Sequence, residues 1–200
     1  VAPSHISALM SGVMIKTGIY GIIRMTQLLN SPTTGVGYTV LTVGIVTALL
    51  GILYAIGQRD FKKMLAYSSV ENMGIITIAL GLGLLGIAYH NVGLKSLGFI
   101  GCFMHILNHA IFKPLMFFAA GAVYNKTHTK DMEKLGGLAK VMPKTALCFL
   151  FGSMALCALP PFNGFVSEFL IYDGFINAFN TPNYLLIPVM ILVMAGLAFV

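Results

Sequence analysis

Lys16 stands in Gly12-Val13-Met14-Ile15-Lys16-Thr17-Gly18, about a dozen residues into an apolar run that begins near His5. An amine there is remote from bulk water and too deep to snorkel easily. A lysine held out of water can exchange a proton near neutral pH. The structural alternative is an ion pair with a carboxylate on another helix. His105, His109 and Lys113 recur at spacings of four. On an α-helix they share one face and rise over about 12 Å. Asn108 adds a polar group beside them. Two imidazoles and an amine in a row suit proton hopping, because histidine titrates near pH 7. Buried histidines bonded to backbone carbonyls are the plainer alternative. A His pair one turn apart can also hold zinc, but no third His and no carboxylate stands close in sequence, so no metal site is expected. Glu168 follows the break Leu159-Pro160-Pro161-Phe162-Asn163-Gly164, with Asp173 five residues on, and Glu71 lies in Ser68-Ser69-Val70-Glu71-Asn72. Ionisable groups inside a bilayer cost about 2.5–3.5 kcal/mol each on insertion scales, so they persist where a pathway or partner compensates them.

The elements that carry these residues read as membrane helices. The 200 residues are 58% hydrophobic and 9% charged, where a soluble domain carries about 25% charged residues. Too few charges remain to cover a water-facing surface, and the apolar runs reach the roughly 20 residues needed to cross a bilayer. Spans are expected at about 6–28, 37–57, 64–88, 97–124, 145–179 and 184–200, in a single membrane domain. The fold class is an all-α polytopic bundle. The net charge of +6 is concentrated in Arg59 to Lys63 and Lys126 to Lys144 rather than on a basic face, which argues against nucleic acid as a partner. Two crossings separate these segments, so the loops 58–63 and 125–144 share a side, expected to be cytoplasmic by the positive-inside rule. Asp60, Lys62 and Lys63 are expected at the surface.

The stretch 145–179 is read as one span broken at Pro160, Pro161 and Gly164. Proline removes a backbone donor, and broken helices recur at transporter ion sites. Cys102, Cys148 and Cys157 form no CxxC pair and lie in apolar stretches, so they read as packing residues. Gly81-x-Gly83-x-x-Gly86 matches a dinucleotide-binding string but follows no strand, so it reads as a surface for close helix approach. The chain begins Val-Ala-Pro and stops at Val200 within an apolar run, and is expected to be a piece of a longer subunit.

Three segments carry a resemblance. Gln58-Arg59-Asp60-Phe61-Lys62-Lys63-Met64-Leu65-Ala66-Tyr67-Ser68-Ser69, His105-x-x-x-His109-Ala110-x-Phe112-Lys113 and Leu159-Pro160-Pro161-Phe162-Asn163-Gly164-Phe165 resemble the antiporter-like subunits of respiratory complex I. That family includes sodium/proton antiporter subunits and membrane subunits of energy-converting hydrogenases. The run Ala2 to Lys16, with Val70-Glu71-Asn72 and Asn163 to Glu168, is similar to the large membrane subunit of hydrogenase-4 and formate hydrogenlyase type complexes. The resemblance implies that Lys16 is the central lysine linking two half-channels. It further implies that His105, His109 and Lys113 line the second half-channel, and that Glu168 is the exit residue. It places the first half-channel upstream of Val1, and any nickel–iron centre, iron–sulfur clusters and quinone site in other subunits, so no cofactor is expected here.

The leading expectation is a proton-translocating membrane subunit of a redox-driven complex, without a redox site of its own. It would move protons along Lys16, His105, His109, Lys113, Glu71 and Glu168. Its partners would be other membrane subunits, a peripheral hydrogenase or dehydrogenase arm and the lipid of a prokaryotic inner membrane. A sodium/proton antiporter subunit of the same fold is the alternative, and a membrane scaffold without transport is the third reading.

Overall fold

The computed structural model describes residues 2–28 and 32–178. The expected span 184–200 and the turn at Asn30-Ser31 lie outside the described residues. Helix α1 (Ser4–Leu9), a π-helical turn (Met10–Met14) and α2 (Ile15–Leu28) form one continuous element. Helices α3 (Thr34–Ile56), α4 (Phe61–Ala88) and α5 (Val92–Thr127) follow. A 3-10 turn (Met132–Lys134) and the short α6 (Leu138–Val141) occupy the polar connection, and α7 (Pro143–Leu156) and α8 (Asn163–Ala178) complete the described chain. The element Ser4–Leu28 and helices α3, α4 and α5 are each long and apolar enough to cross a membrane. No strand occurs among the described residues, only an isolated bridge between Asp60 and Asp131. The fold is an all-α polytopic membrane bundle.

Capping sets two helix starts that hydropathy alone places several residues late. The Asp60 carboxylate accepts from the backbone N–H groups of Lys62 (2.9 Å) and Lys63 (3.1 Å), so α4 begins at Phe61 rather than 64. The Asn91 side chain accepts from Leu94 N–H at 3.1 Å, so α5 begins at Val92 rather than 97. A side-chain acceptor at the N-cap satisfies amides that have no partner within the helix. The favourable cap outweighs the polarity of the first turn.

Helix α4 is buried along most of its length because α3 and α5 close on it through small residues. A Cβ on Gly74 would lie 2.7 Å from Ala48 Cα, and one on Gly81 would lie 2.8 Å from Leu41 Cα. Gly83 and Gly86 meet α5 instead, at Gly98, Phe99 and Lys95. Apolar helices gain little from leaving lipid, so van der Waals contact between close backbones holds them. The glycine string is therefore a two-sided packing surface. Around it lie Leu41, Ile75, Ile76, Leu80, Leu94 and Phe175, all buried.

Helices α7 and α8 run end to end along α5 in the opposite direction. Phe149 of α7 meets Phe61, Gly152 lies against Met116, Asn163 bonds Asn108, and Ile171 lies against Gly101. Between them, residues 157–162 are non-helical. The two basic loops pair at one end of the bundle. Phe61 N–H donates to Lys130 O at 3.0 Å, Met132 N–H donates to Arg59 O at 3.0 Å, and Arg59 forms an ion pair with Glu133 at 3.2 Å.

Lys62 departs from the surface position expected of it. It is buried, with its ammonium over the Tyr124 ring, 5.5 Å from the centroid, and Lys130 approaches the same ring at 5.1 Å. Cation–π attraction and the folded-over loop cover it. Of the cysteines, Cys102 is buried in the core, while Cys148 and Cys157 lie on exposed faces.

Candidate functional site

The ionisable residues come from four helices and meet in the interior. Helix α5 supplies the spine, since His105, His109 and Lys113 are one turn apart and all buried, at 1%, 0% and 0% exposure. Helix α4 adds Glu71 at 1% exposure. Lys16 on α2 and Glu168 on α8 are partly buried at either side.

Lys16 reaches α5 directly. Its Nζ lies 2.7 Å from His109 Nδ1 and donates to the Ser11 carbonyl at 2.5 Å. Two irregularities bring these groups together, and neither was expected from the hydropathy pattern. The first is the π-helical turn Met10–Met14, which leaves the Ser11 carbonyl within reach of a side chain five residues on. Such turns insert one extra residue per turn and recur at functional sites. The second is Pro114 inside α5, which has no N–H to donate. The two meet face to face, since a Cβ on Gly12 would lie 2.5 Å from Pro114 Cγ. Only glycine at position 12 lets the π turn close on the proline ring. The proline inside the α5 run was the available signal.

Serines and asparagines line the remainder. Lys113 Nζ donates to Ser68 Oγ at 2.7 Å. His105 Nε2 lies 3.1 Å from Asn72 Oδ1, and its Nδ1 lies 3.0 Å from Ser167 Oγ. Asn108 donates to Asn163 O at 2.7 Å and to Ser167 Oγ at 3.0 Å, and accepts from Asn163 Nδ2 at 3.1 Å. The α8 start is thus clamped to α5 at the end of the non-helical stretch that contains Pro160 and Pro161. Gly164, expected within the break, is instead the second residue of α8, and it packs so close to the Ala155 carbonyl that no Cβ fits there, so the start of α8 abuts the end of α7. Ser11 and Ser69 share a 2.7 Å hydrogen bond between the π turn and α4.

Charges in this interior act on one another at longer range than a salt bridge. Among the described residues the ion pairs within 4 Å lie in the polar loops, and none involves Lys16, Glu71, Lys113 or Glu168. Glu71 and Lys113 attract one another, while Glu168 and Glu71, both carboxylates, repel. Cys157, at the end of α7, lies within electrostatic reach of Glu168, Glu71 and Lys113, which the sequence reading did not anticipate. Both carboxylate oxygens of Glu71 and His109 Nε2 are buried with no hydrogen-bond partner in the protein. Such groups are costly in a low-dielectric interior unless a small polar species bonds them or, for a carboxylate, a proton neutralises it. The arrangement can hold protons at Lys16, His109, His105, Lys113, Glu71 and Glu168, and can pass one directly between Lys16 and His109. Asp173 is half-buried five residues beyond Glu168 on α8.

Residues 1–196 match the family described as NADH:quinone oxidoreductase/Mrp antiporter, transmembrane. The chain is 48% identical over 86% of its length to hydrogenase-4 component B of Escherichia coli, and spans 26% of that relative. It is 41% identical over 90% of its length to formate hydrogenlyase subunit 3 of the same species, and spans 30% of it. Among solved structures, a chain of the membrane-bound sulfane sulfur reductase, an archaeal respiratory membrane complex, matches with a TM-score of 0.80 and 29% identity. That match covers 99% of this chain and 38% of the other. A buried Lys/His/Glu cluster in an apolar helical bundle and the match along nearly its whole length agree: this chain belongs to the NADH:quinone oxidoreductase/Mrp antiporter transmembrane family, and it is an integral membrane protein.

Proposed function

We propose that this chain carries one part of a proton path in a redox-driven membrane complex, running through Lys16, His109, His105, Lys113, Glu71 and Glu168. The observation that carries the reading is the 2.7 Å contact between Lys16 Nζ and His109 Nδ1 across two helices. At that separation a proton can move from one nitrogen to the other without an intermediary. Energetics support it too. Lys16, His109, Lys113 and Glu168 alone, facing lipid, would together cost on the order of 10 kcal/mol, comparable with the whole stability of a domain. Grouped in the interior, they avoid lipid and respond to each other's charge. A scaffold without transport has no use for such groups.

The non-helical stretch around Pro160 and Pro161 interrupts one span, with α7 and α8 as its halves, and gives Glu168 access to the far side. The paired loops 58–63 and 125–144 face the cytoplasm of a prokaryotic cell. The partners are further membrane subunits and a peripheral hydrogenase or dehydrogenase arm, in keeping with the names of the two Escherichia coli relatives.

The test uses the complete complex in sealed proteoliposomes, with electron transfer and lumenal pH followed together, with and without sodium. Lys113→Met should leave electron transfer to a soluble acceptor intact while the proton-per-electron ratio falls. A normal ratio in that variant would remove the proton path. A ratio that collapses only when sodium is withdrawn from the wild type would assign the path to sodium/proton exchange instead.

A further inference from the structure

The hydrogen bonds around His105 determine where its protons sit. Asn72 Nδ2 donates to the Ser68 carbonyl at 2.8 Å. A carbonyl only accepts, so the amide nitrogen is committed there and Asn72 Oδ1 faces His105 Nε2 at 3.1 Å. That oxygen also only accepts, so Nε2 carries a hydrogen whether the ring is neutral or charged. Neutral His105 then has a bare Nδ1, 3.0 Å from Ser167 Oγ. The Ser167 hydroxyl donates to it.

A second proton arriving at His105 must sit on Nδ1. Nδ1–H then donates to Ser167 Oγ, and the serine hydrogen must point elsewhere. Its acceptor is in place, the Gly164 carbonyl at 2.9 Å. In α8 that carbonyl also receives the backbone N–H of Glu168, four residues on. Asn108 Nδ2 donates to Ser167 Oγ at 3.0 Å in both arrangements. Its orientation is held by Asn163, whose carbonyl accepts from Asn108 Nδ2 at 2.7 Å. Ser167 is fully buried. No covalent bond changes at the serine: its hydroxyl rotates, and the added proton stays on Nδ1.

We propose that Ser167 is a hydroxyl switch that reports the charge of His105 to the first turn of α8, and so positions the turn that carries Glu168. This rests on the proton-path reading above. The charged and titratable groups that act on His105 are Lys16 from α2 and His109 and Lys113 from α5; Glu71 on α4 and Glu168 on α8 are next in sequence to Asn72 and Ser167, the two residues that bond the ring.

The complete complex labelled with 15N-histidine tests it by solid-state NMR, with the His105 signals assigned by their loss in His105→Gln. Neutral His105 should show a protonated Nε2 and a bare, hydrogen-bonded Nδ1. In proteoliposomes Ser167→Ala should move the pH midpoint of proton translocation about one unit toward acid, because the charged ring loses the stronger, charge-assisted bond. Ser167→Thr, which keeps the hydroxyl, should restore the wild-type midpoint. A neutral His105 protonated on Nδ1 would overturn the switch, as would an unchanged midpoint in Ser167→Ala. If the serine variants do not assemble, the wild-type tautomer decides alone. Normal pumping by Lys113→Met would sink the proton path but leave the tautomer result standing. Loss of pumping there with an unchanged Ser167→Ala profile would sink only the switch.

Discussion

Replacing Lys16 by arginine separates a proton carrier from a structural cation more sharply than removing it. The lysine amine makes two contacts, with the Ser11 carbonyl at 2.5 Å and His109 Nδ1 at 2.7 Å. Alanine strands both, and it leaves His109 with neither ring nitrogen bonded, since Nε2 already has no protein partner. An unsatisfied buried polar group costs about 1–3 kcal/mol, against about 5–15 kcal/mol for a folded domain. Lys16→Ala should therefore assemble with reduced stability. Arginine keeps a cation and several donors at the same place, but its guanidinium does not release a proton in proteins. If Lys16 passes protons to His109, Lys16→Arg and Lys16→Ala should both lose coupled translocation while electron transfer to an uncoupled acceptor persists. If Lys16 only holds His109 in place, Lys16→Arg should pump normally. The assay is the proton-per-electron ratio of the purified complex in proteoliposomes, beside its assembly by native gel. A normal ratio in Lys16→Arg would refute the carrier argument.

Two further outcomes follow from the packing. Gly74→Val should block assembly or lower thermal stability strongly, because a Cβ there already sits 2.7 Å from Ala48 Cα and the backbones of α3 and α4 would have to part; wild-type thermal unfolding of the variant in detergent would contradict the close approach. Arg59→Cys combined with Glu133→Cys should cross-link with a short bifunctional thiol reagent, since the native side chains meet at 3.2 Å. Labelling of those two cysteines from opposite sides of the membrane would overturn the pairing of the loops.

Much of the protein follows from sequence patterns that act locally. Apolar runs of membrane length make helices whatever surrounds them, because a backbone in lipid must satisfy its own hydrogen bonds. The spacing of His105, His109 and Lys113 puts them on one face because the helix repeat is a property of the backbone. Depth in an apolar run marks Lys16 as a residue that must find company. The glycines at 81, 83 and 86 announce close approach, though not that Gly81 meets α3 while Gly83 and Gly86 meet α5.

The tertiary structure decided who meets whom. Nothing local says that Lys16 reaches His109, 93 residues away; that contact needs the π turn, the proline in α5 and a glycine small enough for the two to touch. Lys62 reads as a surface cation until packing against α5 sets it over Tyr124 and the loop that follows α5 folds back and brings Lys130 to the same ring. Ser167 and Asn72 are unremarkable letters in an apolar chain. Each becomes informative only when three helices set them around one imidazole at hydrogen-bond distance, because a proton's position depends on every donor and acceptor at the site, and those come from residues 72, 105 and 167.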